Sequence, residues 1–294
     1  MKVKSILIII LICCGLFLLF LGSVHLFDWD EINFAECARE MLLSHNYSTV
    51  TIDFLPFWEK PPLFIWMQVF SMKIFGVSAF AGRFPNVLAA ILTALFVYFA
   101  GKKIKNETLG LWWMVFYLGS FLPNVYFHSG IIDPWFNLLI VGALYFFYFA
   151  STSNNPSFYY LIGGVSLGLA MLTKGPVALL IVGCVVSLYW LLTRFKKLPK
   201  IKHLIIFSFA ALSIGGLWFL MLYGTGNGQV IEEFIAYQVR LFQTKDAGHG
   251  GPIYYHVLFL LLGCFPASFF FIAFQIQRRK MEKNSFDLWM QILF

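Results

Sequence analysis

Charged residues are scarce in this sequence, and their scarcity excludes an ordinary soluble domain. Only 12% of the 294 residues are charged, while 60% are hydrophobic and 19% are aromatic. A typical soluble domain carries about a quarter charged residues. A bilayer core about 30 Å thick is spanned by an α-helix of roughly 20 apolar residues, because a helix pairs its own backbone groups. The composition therefore predicts an all-α polytopic membrane protein.

Cysteine is also scarce, and its distribution argues against a disulfide framework. The chain has five cysteines, an odd number, and most of them lie inside apolar runs: Cys13, Cys14, Cys184 and Cys264. Cys37 lies outside such a run. We therefore predict neither disulfide bonds nor a cysteine metal site.

Long apolar runs are what the sequence has in abundance. They predict about eight transmembrane helices, at 5–27, 84–101, 108–127, 134–150, 158–172, 177–193, 203–223 and 256–276. The first run is longer than the core of a secretion signal and leads directly into an acidic segment, so it predicts an uncleaved helix. A further apolar start at 287–294 predicts a chain that is truncated at its C-terminus.

The net charge of +7 predicts an orientation in the membrane rather than binding to nucleic acid. With a cytoplasmic N-terminus and alternating sides, most of the 21 basic residues fall in the inner connections, and most of the 14 acidic residues fall in the outer segments. Lysine and arginine mark cytoplasmic loops. We therefore predict a multi-pass protein of a bacterial inner (plasma) membrane, with its outer segments in the periplasm.

The first outer segment, 28–83, is far longer than a simple connection requires. Apolar residues recur at helical spacing over 32–44, and a second such stretch, 61–75, begins with prolines. This pattern predicts two interfacial helices along the membrane surface. We expect the chain 1–294 to form a single transmembrane domain that carries them on its outer face.

Ionisable residues collect in this first outer segment. Asp30 and Glu31 follow the first span, where either helix capping or a function explains a carboxylate. Glu59 and Lys60 lie among prolines and aromatic residues, in a segment that is either a rigid turn with a solvated ion pair or part of a binding site.

Three more ionisable residues lie in later outer segments. Asp133 is at membrane depth, where an ionisable group is a candidate for function, although Asp before Pro is also a common helix start. Lys174 either reaches the lipid headgroups or binds a ligand. Arg240 lies on the side that topology disfavours for cations, so an anionic partner is the economical explanation.

These acids and cations together predict a site at the outer interface for a ligand that arrives from the lipid. Glu59 with a histidine such as His249 or His256 is a weak candidate for a divalent metal. No metal or other cofactor is firmly implied.

Four motifs occur in order along the chain: Asp-Glu-x-x-x-Ala-Glu-x-Ala-Arg-Glu-Met at 30–41, Glu-Lys-Pro-Pro-Leu at 59–63, Phe-Gly-Val-x-x-Phe-Ala-x-Arg-x-Pro at 75–85, and Thr-Lys-Gly-Pro at 173–176. They resemble the ArnT-like branch of the protein O-mannosyltransferase family, glycosyltransferase family 39. The resemblance implies the GT-C fold and the N-terminal catalytic half of a longer enzyme. It also implies transfer of a sugar, with inversion, from a polyprenyl (undecaprenyl) phosphate to lipid A, a cell-envelope glycan or a protein.

The resemblance implies roles for individual residues. Asp30 matches the first-loop aspartate, a catalytic or acceptor-orienting carboxylate, and Asp133 matches the second outer-loop aspartate. Lys60 matches the lysine that holds the carrier phosphate, and Arg240 matches the arginine that joins it. We expect the remaining candidates to support the substrate site: Glu31, Glu59 and Lys174.

A membrane transporter is the main alternative from another class. It predicts ionisable residues at the bilayer midplane and some relation between the two halves. Here the charges lie at one interface and the sequence has no internal repeat. A non-catalytic membrane scaffold is a further alternative, because the chain ends inside an apolar run. The transferase interpretation predicts a lipid-linked sugar donor, a lipid or glycan acceptor and the membrane as partners, with no nucleic acid.

Overall fold

The computed structural model describes residues 3–27, 29–196, 198–243 and 253–277. These ranges contain helices α1 (Val3–Phe17), α2 (Asp30–Ser44), α3 (Leu63–Phe75), α4 (Ala79–Ile104), α5 (Glu107–Leu118), α6 (Phe121–Phe127), α7 (Asp133–Ala150), α8 (Pro156–Lys174), α9 (Val177–Leu192), α10 (Ile201–Gly215), α11 (Leu217–Gly224), α12 (Gly228–Gln243), α13 (Ile253–Gly263) and α14 (Ala267–Gln277). Strands β1 (Thr51–Ile52) and β2 (Leu55–Pro56) form an antiparallel hairpin. The apolar start predicted at 287–294 lies outside the described residues.

Helix length supports fewer membrane spans than the number predicted. In the described ranges, α4, α7 and α8 are each long and apolar enough to cross a bilayer. Two further pairs reach that length together, α10 with α11 at a bend of 40° and α13 with α14 at a bend of 109°. This part of the chain therefore contains 3 candidate spans, or up to 5 if each bent pair is one span, against about eight predicted.

The other predicted spans coincide with helices that are short or broken. α1 ends at Phe17 and α9 has 16 residues. The run 108–127 is divided between α5 and α6 at Ser120, whose backbone is extended. The Ser120 hydroxyl donates to the carbonyl of Phe116 over 2.6 Å. The chain therefore turns where a continuous helix was predicted.

The main core lies where α8 packs between α7 and α10. Small residues line the contact with α10, because a Cβ added at Gly164 or Gly168 would overlap the backbone of that helix. Across the same core, the rings of Phe147 and Phe207 meet edge to face, with centroids 5.2 Å apart. Close approach at small residues is how helices associate in membranes, where lipid removes the hydrophobic drive between them.

Helices lie at both stretches where interfacial helices were predicted. α2 and α3 pack on each other and on the β-hairpin through an apolar cluster that includes Cys37, Met41 and Ile65. Glu40 is fully buried there and accepts a hydrogen bond of 2.6 Å from the Thr51 hydroxyl. Their position along the membrane surface stays a prediction.

α12 packs against the end of α8 through a buried aromatic residue. Phe234 is 0% exposed, and its ring meets that of Trp218 edge to face with centroids 5.4 Å apart. Gly175 follows α8 with a φ of +78°, and a Cβ there would lie 2.8 Å from the tip of the Phe234 ring. Glycine is therefore required for both the turn and the close approach of α12.

We expect Gly175→Ala to destabilise the fold by about 1–3 kcal/mol, because alanine is strained at this φ and its methyl group displaces Phe234. Unfolding followed in detergent measures the effect. Gly183→Ala is the matched control, since nothing lies within 4 Å of a Cβ at that helical position. We expect the control to be neutral or slightly stabilising. Equal stability of the two variants would contradict the packing of α12.

Candidate active site

A buried ion pair ties the first outer segment to the beginning of α4. Arg83 and Glu31 are each 2% exposed. Nε of Arg83 donates to Oε1 of Glu31 over 2.7 Å, and Nη2 donates to Oε2 over 3.0 Å. The other guanidinium N–H groups donate to the carbonyls of Leu21, Val24 and His25. All the donors of the guanidinium group are therefore used.

The Glu31 carboxylate also holds the loop that precedes α7. Its Oε1 accepts from the backbone N–H of Gly130 over 2.5 Å, and its Oε2 accepts from that of Phe27 over 2.7 Å. A Cβ at Gly130 would lie 3.1 Å from the carbonyl oxygen of Gly82 and 3.3 Å from the Glu31 side chain. Glu31 thus positions the backbone at Phe27 and Gly130, and its support of a substrate stays a prediction.

Asn86 fixes the same loop from the next turn of α4. Its side chain is fully buried, and Nδ2 donates to the carbonyls of Ser129 and Ile131 over 2.5 Å and 2.7 Å. The two carbonyl groups belong to the residues on either side of Gly130, shortly before Asp133 in the chain. The backbone that carries Asp133 is therefore anchored to α4.

Asp133 and Lys174 meet although they come from different helices. Nζ of Lys174 lies 2.7 Å from Oδ1 of Asp133, and the two side chains are 29% and 24% exposed. The same ammonium lies 5.3 Å from the ring centroid of Phe136. The structure therefore joins one predicted catalytic residue to one predicted supporting residue in a half-buried ion pair.

Tyr237 joins three of the predicted residues. Its hydroxyl donates to Oε2 of Glu59 over 3.2 Å. Nζ of Lys60 lies 5.7 Å from the Tyr237 ring centroid, and Cζ of Arg240 lies 5.3 Å from it. Both cations contact the ring at distances typical of cation–π interactions. Tyr237 was not predicted, although it shares a face of the amphipathic α12 with the buried Phe234.

One apolar cluster supports both groups of charges. The half-buried Trp58 packs against a cluster that includes Leu172 and Phe234. Trp58 directly precedes Glu59, Leu172 lies two residues before Lys174, and Phe234 lies one turn before Tyr237. The three segments that carry the candidate cations are therefore packed on a shared support.

Asp30 is exposed at the first residue of α2. No side-chain hydrogen bond or ion pair involves it in the part of the chain that the structure describes. Trp29 before it has a φ of 74°, a strained conformation for a bulky residue, and such strain clusters at functional sites. One turn later, Phe34 packs with Phe64 and Ile132, which links this helix to α3 and to the loop before α7.

The pKa values of Glu36 and Cys37, in α2 beside the site, are shifted. The hydrogen bond from Arg39 holds the pKa of Glu36 below its usual value, so this pair contributes stability above the unfolded-state pKa and loses it as the pH falls. Burial raises the pKa of the Cys37 thiol, and the Glu40 carboxylate raises it further. Cys37 therefore stays protonated and is a packing residue rather than a nucleophile.

Within the described ranges, no group of three or more His, Cys, Asp or Glu side chains could hold a metal ion. Of the histidines considered with Glu59, His249 lies outside the described residues, and His256 lies on α13 beside Tyr255.

Residues 59–218 match the family described as dolichyl-phosphate-mannose-protein mannosyltransferase. The chain belongs to this family. The matched range contains Glu59, Lys60, Asp133 and Lys174, whereas Asp30 and Arg240 lie on either side of it. The predicted resemblance to the protein O-mannosyltransferase family is thereby confirmed.

Curated relatives include bacterial sugar transferases. The chain is 27% identical over 307 residues to the undecaprenyl phosphate-alpha-4-amino-4-deoxy-L-arabinose arabinosyl transferase of Wigglesworthia glossinidia brevipalpis, covering 100% of this chain and 54% of the relative. It is 29% identical over 259 residues to the protein of the same name in Yersinia enterocolitica, covering 85% and 46%. The chain thus spans about half the length of the curated relatives that it matches.

Solved structures share the fold of this family member. ArnT from Cupriavidus metallidurans, in a crystal structure with undecaprenyl phosphate bound, gives a TM-score of 0.85 at 21% identity, covering 99% of this chain and 54% of that one. The oligosaccharyltransferase of Archaeoglobus fulgidus gives a TM-score of 0.51 at 14% identity, covering 96% and 39%. These matches confirm the predicted GT-C fold.

We expect Arg83→Lys to destabilise the protein by about 3–5 kcal/mol, because lysine cannot satisfy both oxygens of Glu31 and the carbonyls around it. Unfolding in detergent, compared with the unsubstituted chain, measures the loss. Arg39→Lys is the matched control, since Arg39 pairs with Glu36 at an exposed surface of α2. We expect little change from the control. A small effect at Arg83 as well would refute its role as an anchor.

Proposed function

We propose that this chain is the N-terminal catalytic half of a glycosyltransferase that moves a sugar from polyprenyl (undecaprenyl) phosphate to an acceptor. The observation that carries the proposal is the gathering of Glu59, Lys60 and Arg240 around Tyr237 in a member of this family. The relatives named as undecaprenyl phosphate aminoarabinose transferases support this donor class. Lipid A, a cell-envelope glycan or a protein is the acceptor.

Lys60 and Arg240 bind the carrier phosphate in this proposal. Two cations on one aromatic ring repel each other, and an anionic phosphate between them would offset that repulsion. When the bond between sugar and phosphate breaks, negative charge grows on the phosphate that leaves. Preorganised cations stabilise this charge more in the transition state than in the bound donor, which lowers the barrier to sugar transfer.

Asp30 acts on the acceptor. The acceptor oxygen attacks the anomeric carbon as the bond from that carbon to the phosphate oxygen breaks, and the electron pair of that bond stays on the phosphate. Asp30 takes the acceptor proton as general base, or orients an acceptor that is already ionised. Attack from the side opposite the phosphate inverts the anomeric configuration.

Asp133, which forms an ion pair with Lys174, contributes its carboxylate to the substrate site in this proposal. We propose that it accepts hydrogen bonds from the sugar or the acceptor, while Lys174 holds it in place. Glu59, bound by the Tyr237 hydroxyl, fixes the turn that carries Lys60.

The site faces the periplasm in this proposal. The candidate residues lie in the predicted outer segments of a bacterial inner-membrane protein, and the basic connections lie at the other ends of the helices. A lipid carrier in the outer leaflet would then present its phosphate at the depth of Lys60.

We expect Lys60→Ala to weaken binding of radiolabelled undecaprenyl phosphate about 10- to 100-fold, because it removes a charge-assisted contact to the phosphate. Binding is measured directly on the purified chain, and sugar transfer to membrane extracts is measured in parallel. Lys73→Ala is the matched control, because Lys73 also lies over a tyrosine ring, 4.7 Å from the centroid of Tyr47, in α3.

The control should bind the carrier as the unsubstituted chain does. Carrier binding that survives Lys60→Ala would reject the phosphate role of Lys60. Absence of both binding and transfer, together with solute uptake into vesicles, would favour the transporter alternative.

We expect Asp30→Asn to lower the rate of transfer about 10²- to 10⁴-fold, the range of general base catalysis, with carrier binding unchanged. Kinetics with saturating donor separate the two effects. Asp53→Asn is the control, because Asp53 is exposed at the hairpin turn with a φ of 54°, which asparagine tolerates. An equal loss of carrier binding in Asp30→Asn would assign Asp30 to the donor instead of the acceptor.

A further inference from the structure

Trp218 is a fully buried residue whose single side-chain donor bonds a distant segment. It is the second residue of α11. A buried indole N–H requires a hydrogen-bond partner. Nε1 of Trp218 donates to the backbone carbonyl of Ser48 over 2.9 Å. This hydrogen bond joins α11 to the loop between α2 and the β-hairpin, which lies 170 residues earlier in the chain.

The segment that begins at Ser48 leads through the β-hairpin to Lys60. Ser48, Thr49 and Val50 are all buried. The carbonyl of Val50 accepts from the backbone N–H of Phe57 over 2.8 Å, which closes the base of the β-hairpin just before the turn that carries Lys60. The backbone between Ser48 and this turn is therefore buried at one end and hydrogen-bonded across the hairpin.

The ring of Trp218 contacts the helix that carries Arg240. It meets the Phe234 ring edge to face, with centroids 5.4 Å apart. The neighbouring Phe219 ring also contacts Phe234, with centroids 5.7 Å apart. Phe234 precedes Arg240 on α12 by a helical rise of about 9 Å. Trp218 therefore contacts α12 with its ring, and the segment that leads to Lys60 with its N–H group.

We propose that Trp218 is a positioning residue that sets the separation of Lys60 and Arg240. This inference rests on the proposed function, in which the two cations bind one carrier phosphate. Charge-assisted hydrogen bonds from cations to an anionic oxygen form over a narrow range, about 2.7–2.9 Å. Both cations meet that range at once only if α12 and the turn that carries Lys60 are held at a fixed distance. A displacement of about 1 Å at a reacting group can cost about 100-fold in rate.

Trp218→Phe removes the N–H donor and keeps an aromatic ring against Phe234. We expect this variant to weaken binding of radiolabelled undecaprenyl phosphate to the purified chain about 3- to 10-fold. In a chain that already carries Lys60→Ala, Trp218→Phe should cause little further loss, because Trp218 acts through Lys60. Residues that act through one another give non-additive effects in such a double-mutant cycle. A purely structural role would leave the affinity of the folded protein unchanged or give additive losses.

Trp135→Phe is the matched control for the loss of an indole N–H group. Nε1 of Trp135 also donates to a backbone carbonyl, that of Pro85, over 3.0 Å. Trp135 lies on α7 and packs against a different apolar cluster, which includes Val87 and Phe127. We expect both variants to lose a similar amount of stability in detergent. Only Trp218→Phe should also weaken binding of the carrier.

Phe234→Leu decides the question if Trp218→Phe does not fold. It removes the other ring of the contact, so its effect on carrier binding should disappear in a chain that carries Arg240→Ala. Unchanged carrier binding in Trp218→Phe, or an equal loss with and without Lys60, overturns the inference. If Lys60→Ala itself leaves carrier binding unchanged, the proposed phosphate site fails and this inference fails with it. A loss in Lys60→Ala without one in Trp218→Phe refutes the positioning role alone.

Discussion

The buried pair of Arg83 and Glu31 is the interaction on which the rest of the candidate site depends. Removing two charges from water is costly, and well-packed apolar residues in place of a buried ion pair are often as stable or more stable. The compensation here is that every guanidinium N–H and both carboxylate oxygens are bonded, largely to backbone. The pair fixes three segments relative to one another. The segment after α1, the start of α2 and the loop before α7 are all held against one turn of α4.

A second support, made of apolar side chains, positions the cations. Phe234 and Trp218 hold α12 against the end of α8, and Trp58 brings in the turn that carries Lys60. The two supports use different chemistry for different elements. Loops have backbone groups that need partners, so a polar network can fix them. α12 satisfies its own backbone, so it is held by packing of its apolar face.

Composition and apolar runs were enough to predict an all-α membrane protein, and the motifs were enough to predict the family. The positions where helices end, and the partners of individual residues, depend on contacts that local sequence does not reveal. The run 108–127 is mostly apolar, yet α5 ends inside it at Leu118 and α6 begins after Ser120. Local sequence left Glu31 open between a helix cap and a functional residue, because its partner Arg83 lies 52 residues further along the chain. Tyr237 was missed for the same reason, since Glu59 is 178 residues away.

The two ends of α8 together define a depth in the membrane. A polyprenyl carrier is held in the lipid, so its phosphate stays near the headgroup level, and the proposed phosphate site has to lie at that level. α8 has 19 residues, and its helical rise of about 28 Å is close to the thickness of the hydrocarbon core. Lys174 is its last residue and pairs with Asp133 at the first residue of α7. Because a helix is rigid along its axis, a span of this length would hold both candidate residues near one headgroup level, which is where the proposed function needs them.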